Sequence, residues 1–353
     1  MATSPVTTTT TTTTMTSDFL TLPNKPTAPI SYTFIAPPSP SRWLIVFLNG
    51  LALPASSWEP VLALLAASGA APGILTYDRF GQGRTTSLDP DDDEDEMEPG
   101  YGHGYLSVVS DLHGIIQWVR KTYYTTTPTA RDETGGEGEE DEKLEILLVG
   151  ASIGAVIARL YVQQHLLLHL QDQPFHHSVH ISGLILLDSN IPHVDYSEIL
   201  PDPGAAGINP ADLVADDCTL AQYVEARTRA AQMFDLGVRN RERLDRRTGR
   251  ALLPYANRPR FERRGGGVVL SVVGHDAAAF AEQGLVRMGT PKSVTLRFLQ
   301  PYWEKYNAGL LNLSDELLDD EVVIATGCGH FIQVDDAAFV AQLVGRMMQR
   351  LGW

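Results

Sequence analysis

Three residue types, set at three places in this chain of 353 residues, have the chemistry for nucleophilic catalysis. Ser152 lies in Leu147-Leu148-Val149-Gly150-Ala151-Ser152-Ile153-Gly154, a Gly-x-Ser-x-Gly pentapeptide directly after an apolar run. A serine hydroxyl is a weak nucleophile until a base takes its proton. The candidate base is His330, in the Gly-rich segment Gly327-Cys328-Gly329-His330-Phe331 that follows the apolar run Val322 to Ala325. A third group must fix the imidazole tautomer and stabilise the imidazolium once it forms. Asp276 and Asp188 each follow an apolar run and qualify; Asp276 is the preferred acid and Asp188 the alternative. Developing negative charge on a substrate oxygen needs two backbone amides, each worth about 3 kcal/mol. Ile153, directly after the serine, and Leu51, after Asn49-Gly50, are the candidates for that oxyanion hole.

Such a constellation works only if strands deliver all its members to one edge. Trp43 to Leu48, Gly73 to Tyr77, Leu144 to Val149, Ile181 to Leu187, Gly267 to Val273 and Val322 to Ala325 are continuous apolar runs. Runs of this kind suit strands buried on both faces of a parallel sheet. Helical periodicity separates them: from about Trp58, with Val61, Leu62, Leu64 and Leu65 inward, from Tyr105 to Val119, and from Ile153 towards His165. The alternation predicts an α/β fold, a mostly parallel central sheet flanked by helices. Ile30 to Ile35 is a candidate first strand, and the Thr- and Pro-rich residues 1–29 read as disordered. The core is expected from 30–189 and 268–353. Between them, 190–267 breaks the strand rhythm, carries a helical pattern over Thr219 to Phe234 and is rich in arginine. It reads as a helical cap inserted at the carboxyl ends of the strands, its arginines hinting at an anionic group on a substrate.

Composition narrows the function. A net charge of -16 opposes nucleic acid and anionic membrane surfaces. Much of it sits in Asp89 to Glu98 and Glu137 to Glu142, which read as solvated loops. Cys218 and Cys328 make neither a disulfide framework nor a metal cage. His165, His169, His176, His177 and His180 cluster with only Asp172 as a nearby carboxylate, so a solvated helix face is expected rather than a metal site. Thr7 to Thr14 is followed by no apolar run of the kind a signal peptide carries, no arginine precedes Arg42, and no stretch nears the ~20 apolar residues of a membrane span. A cytoplasmic protein needing no cofactor is the expectation, with a small molecule as its partner.

Asn49-Gly50 with Trp58 behind it, Tyr77-Asp78-Arg79-Phe80-Gly81-Gln82-Gly83-Arg84, the elbow at Ser152, Gly274-His275-Asp276 and Gly329-His330-Phe331 run in one order over residues 30–350. Together they resemble the α/β-hydrolase fold family, in its cap-bearing serine esterase-like branch. Two positions depart from that pattern. Asn49-Gly50 stands where the family usually has His-Gly, implying different hydrogen bonds around the oxyanion loop. Asp276 stands two residues after Gly274, where the family's acid usually stands three after its glycine, and this keeps Asp188 in contention. Relatives that attack with an aspartate share the layout, but Ser152 argues against their chemistry. The resemblance implies hydrolysis of a small or medium-sized carboxylic ester or lactone through an acyl-enzyme. The alternatives are a C-C bond or thioester hydrolase or acyl transferase using the same triad, or a non-catalytic small-ligand binder that keeps the fold.

Overall fold

The apolar runs become strands because only the middle of a helix-covered sheet removes both their faces from water. In the computed structural model, which describes residues 14–69, 72–92, 101–124, 143–170, 178–261 and 267–353, eight strands form one sheet. They are β1 (Met15–Leu22), β2 (Lys25–Ile35), β3 (Trp43–Leu48), β4 (Gly73–Tyr77), β5 (Leu144–Ala151), β6 (Val179–Leu187), β7 (Val269–His275) and β8 (Val323–Ala325). Their order is β1-β2-β4-β3-β5-β6-β7-β8, parallel from β4 to β8, with β1 and β2 antiparallel at one edge. Every residue of β4 and of β7 is buried, as the continuous apolar runs require.

Helices cover both faces. One core layer packs α2 (Tyr105–Val119) and α3 (Ile153–Leu170) on the sheet; the other packs α1 (Glu59–Ala67) and the C-terminal helix Ala337–Leu351. In α2, Tyr105, Val108, Val109, Leu112, Ile115, Ile116 and Val119 are buried at helical spacing, so the predicted span and face agree with the structure. In α1, Val61, Leu62 and Leu65 turn inward, but Leu64 is exposed because it falls on the opposite face of the short helix.

The N-terminal segment corrects the expectation of disorder up to residue 29. From Met15 the chain forms the β1-β2 hairpin, with Leu20, Leu22, Ala28 and Ile30 buried. Threonine-rich composition obscured a period-two alternation that a one-sided edge strand needs. Residues 1–13 lie outside the described residues. The acidic run also departs from a wholly solvated loop. Asp89 is buried and accepts from Lys25 Nζ at 2.7 Å, while Lys25 also donates to Asp111. Residues 93–100, and with them most of that run, lie outside the described residues, as does Glu137 to Glu142.

Between β6 and β7 the strand rhythm stops, and a helical cap region stands there with α4 (Leu220–Phe234) as its longest helix. Thr219 caps α4 in a reciprocal box with Gln222. Several of the cap's arginines serve the cap itself. Arg246 donates to the Phe234, Asp235 and Val238 carbonyls, Arg227 to Leu200 and Ser197, and Arg250 to Asp195 and Glu198. A second excursion, between β7 and β8, holds α5 (Ala277–Met288) and α6 (Gln300–Leu311), joined by a turn of π-helix at Thr295–Leu299. No helix among the described residues is long and apolar enough to cross a membrane.

Candidate active site

Parallel register sets the site. Leu48 pairs with Gly150, Ala151 with Leu187, Leu187 with Val273, and His275 with Ala325, so β3, β5, β6, β7 and β8 end on one edge. Ser152 follows β5 with φ 55° and is succeeded at once by α3. Left-handed backbone at a residue with a Cβ is strained, and the neighbours enforce it here. The Ser152 amide donates to Leu187 O at 3.0 Å, and its carbonyl accepts from Asn190 N at 3.1 Å. The flanking glycines make the turn possible: a Cβ on Gly150 would meet Gly154 O at 2.5 Å, and one on Gly154 would meet Leu48 O at 2.2 Å. Strand, elbow and helix therefore approach at distances that only glycine permits.

His330 comes from the loop after β8. Its Nε2 lies 2.9 Å from Ser152 Oγ and its Nδ1 lies 2.5 Å from Asp188 Oδ2. With Nδ1-H donating to the carboxylate, Nε2 is left to accept the serine proton. The loop is fixed from two sides: Gln283 Oε1 accepts from His330 N at 3.0 Å, and Asp335 Oδ2 accepts from Gly329 N at 2.8 Å. The Trp303 ring on α6 meets the His330 ring edge to face at 5.7 Å.

The structure brings Asp188, and not Asp276, to His330. Two residues after Gly274, Asp276 falls at the N-cap of α5, where its Oδ1 accepts from Ala278 N at 2.9 Å and Ala279 N at 3.1 Å. Its other oxygen accepts from Gly327 N at 3.3 Å. The Ala279 and Gly327 amides hold this half-buried carboxyl below its ordinary value. The carboxylate is thus engaged in starting a helix and bracing the His330 loop. Asp188 is fully buried with φ 40°, and its amide continues the ladder to Val273 O at 2.8 Å. Burial alone would raise its pKa, but the facing imidazoles of His275 and His330 outweigh it and bring it down to about 2.

Sequence reasoning missed the role of His275. Its Nδ1 lies 2.8 and 2.9 Å from the two Asp188 oxygens, and its Nε2 lies 2.7 Å from Gln300 Oε1. Alternation at the end of β7 sends the side chains at 275 and 276 to opposite sides, and it is that of His275 that meets Asp188.

The Asn49-Gly50 loop packs against the elbow, since a Cβ on Gly50 would stand 3.5 Å from Ser152 Cβ. Where the related pattern has His-Gly, Asn49 Nδ2 donates to Tyr77 O at 3.0 Å and to Gln82 Oε1 at 2.8 Å. Arg79 donates to Asn49 O and Gly50 O, each at 2.9 Å, and to Glu242 Oε2 at 2.7 Å. Glu242, from the cap, also accepts from Ala52 N at 2.6 Å. Ala52 N is thereby engaged. Ile153 N belongs to the first turn of α3, whose amides have no acceptor within the helix. Burial opposes the charge of Arg79, but Glu242 more than offsets this and raises its pKa. Neither Arg79 nor Glu242 was singled out from sequence, because their partnership spans the core and the cap.

Among the described residues, Asp89, Asp92 and His103 offer a grouping of metal-ligating atoms, but Lys25 Nζ already sits on Asp89. Within the histidine cluster, His165 departs from the solvated face expected. His165 is buried beside the Tyr161 ring, and His180 lies on β6 against Glu145; His176 and His177 lie outside the described residues. Both cysteines are free and buried.

Comparison with known proteins agrees with this architecture. A carboxyl esterase of Bacillus coagulans superposes with a TM-score of 0.53 at 14% identity, covering 97% of this chain and 99% of that one. An esterase of Pyrococcus furiosus gives a TM-score of 0.47 at 13% identity, covering 96% of this chain and 90% of its own. At 14% identity the likeness to the Bacillus coagulans esterase is one of fold. No curated protein matches the sequence. The profile of the Alpha/beta hydrolase family matches residues 45–343, most of the chain, and the protein therefore belongs to that family.

Proposed function

We propose that the protein is a serine hydrolase that cleaves a small or medium-sized carboxylic ester or lactone, with Ser152, His330 and Asp188 as its triad. The observation that carries this reading is the continuous pair of hydrogen bonds, 2.9 Å from Ser152 Oγ to His330 Nε2 and 2.5 Å from His330 Nδ1 to Asp188. The serine proton passes to Nε2 as Oγ bonds to the carbonyl carbon. Asp188, ionised far below neutral pH, stabilises the imidazolium so formed. The amides of Leu51 and Ile153 receive the oxyanion. His330 then returns the proton to the departing alkoxide, and the acyl group stays on Oγ. Water, deprotonated by His330, attacks the acyl carbon; the acid leaves and the serine recovers its proton. Two residues before His330, burial pushes the Cys328 thiol up to about 11, so at neutral pH it does not compete as a thiolate.

A fluorophosphonate probe tests the nucleophile directly. Labelling of the wild type and none of Ser152→Ala is the expected result; an unlabelled wild type would remove the hydrolase reading and favour a ligand-binding role. A panel of p-nitrophenyl esters of increasing chain length, run beside lactones and thioesters, then separates ester hydrolysis from other uses of the triad.

A further inference from the structure

The acid of this site carries two imidazoles. His275 is buried, and each of its ring nitrogens faces an acceptor: the Asp188 carboxylate at Nδ1 and Gln300 Oε1 at Nε2. The orientation of the Gln300 amide is fixed by its own Nε2, which donates to Glu304 Oε1 at 3.1 Å. A neutral imidazole has one N-H and one lone pair, so it would leave one of these two contacts as acceptor facing acceptor. Only the imidazolium satisfies both.

The groups packed around the ring favour that charge. From β6, Asp188 provides a full negative charge, and from α6, Glu304 acts through Gln300. Behind the ring, a cleft of about 270 Å³ is lined by His275, Gln300, Glu304, Asn307 and Glu321, so its ionisable walls are acidic. From α5, Phe280 stacks on the ring at 3.9 Å, and the helix begins with the Asp276 carboxylate. Trp303 meets the ring edge to face at 5.7 Å. His330 lies on Asp188 Oδ2, an oxygen that His275 also faces.

Resting on the proposed triad, we propose that His275 is a positioning residue: as a buried imidazolium held by Gln300 and Glu304, it clamps Asp188 and offsets part of that carboxylate's pull on the proton at His330. The clamp leaves Asp188 Oδ2 aimed at His330 Nδ1. The offset matters for the base. A buried carboxylate with no other counter-charge favours the protonated state of its neighbouring imidazole, which cannot accept from Ser152. A carboxylate already paired with one cation holds a second imidazolium less tightly. The device thus trades some stabilisation of the imidazolium for availability of the base.

Two measurements on the full chain test this. Nitrogen-15 NMR of histidine-labelled protein reads the His275 ring directly and needs no activity. Both ring nitrogens protonated at pH 7 is the expected state; a neutral tautomer overturns the proposal. The second measurement is the rate of fluorophosphonate labelling against pH. In His275→Gln the acid limb should move to higher pH by about one unit. In Glu304→Gln, which frees Gln300 to turn its amide, the limb should move the same way by less. Glu304 lies on the outer side of the relay, so this variant serves if His275→Gln does not fold. Labelling that weakens with no movement of the limb in either variant would mean a packing role only and overturn the proposal. A wild type that takes no label would instead remove the hydrolase reading, leaving the NMR result to judge the charge of His275.

Discussion

At the scale of single residues, two aspartates at the ends of neighbouring strands have different surroundings, and the alternative acid rather than the preferred one meets His330. Asp276 fills a helix cap, and Asp188 fills the slot beside the imidazole. Their amide variants should separate cleanly. Asp188→Asn keeps the shape but presents the wrong hydrogen-bonding group to His330 Nδ1, and turnover should fall by about 10⁴, as when a triad aspartate is amidated in serine proteases. Asp276→Ala should leave turnover within a few fold and lower stability by about 1 kcal/mol, the usual cost of losing a cap. Steady-state kinetics with the best ester from the panel, beside a urea midpoint, reads both. Full activity in Asp188→Asn would return Asp276 to consideration.

At the scale of elements, the Asn49-Gly50 loop proposed for the oxyanion does not stand alone. Its carbonyls are held by Arg79 from the loop after β4, and Arg79 is in turn held by Glu242 from the cap. Gly81, with φ 73°, permits that approach, since a Cβ there would meet Arg241 O at 2.6 Å. Glu242 also takes the Ala52 amide, so one buried carboxylate joins cap, core and loop. Glu242→Ala should lower stability by about 3–5 kcal/mol, because it leaves the buried guanidinium of Arg79 without its counter-charge. The measure is the denaturant midpoint. Replacing the exposed Arg247, whose ion pair with Asp245 is local, should change it by less than about 1 kcal/mol. Equal effects of the two substitutions would show that Glu242 is not the link between cap and loop.

At the scale of the whole molecule, the buried charges set how stability varies with pH. Asp188 has its pKa lowered from 3.8 to about 2 in the folded chain. Its contribution is therefore complete above its unfolded value and is lost as pH falls through about 2. His275 is shifted the other way. Burial opposes its charge, but Asp188, Gln300 and Glu304 together raise its pKa above 6.5. Its contribution is complete below that unfolded value and is lost as pH rises through the folded one. The urea midpoint should thus decline on both the acid and the alkaline side of a plateau between about pH 4 and 6.5. In His275→Gln the alkaline decline should flatten; a decline of unchanged slope would show that other groups govern it.

Much of this arrangement was legible in the order of residues. Continuous apolar runs specified the parallel strands, because burial on both faces leaves no polar alternation, and the 3.6-residue period specified α2 over Tyr105–Val119. The pentapeptide at Ser152 carried its own strand-turn-helix geometry, since Gly150 and Gly154 are needed only where backbones nearly touch. The order of strands in space was not legible, and it decided the rest. β6 lies between β5 and β7, so Asp188 arises beside Ser152 and faces both His275 and His330. Whether a carboxylate caps a helix, as Asp276 does, or orients an imidazole depends on which amides and rings surround it. Those neighbours come from distant parts of the chain, and only the folded sheet brings them together.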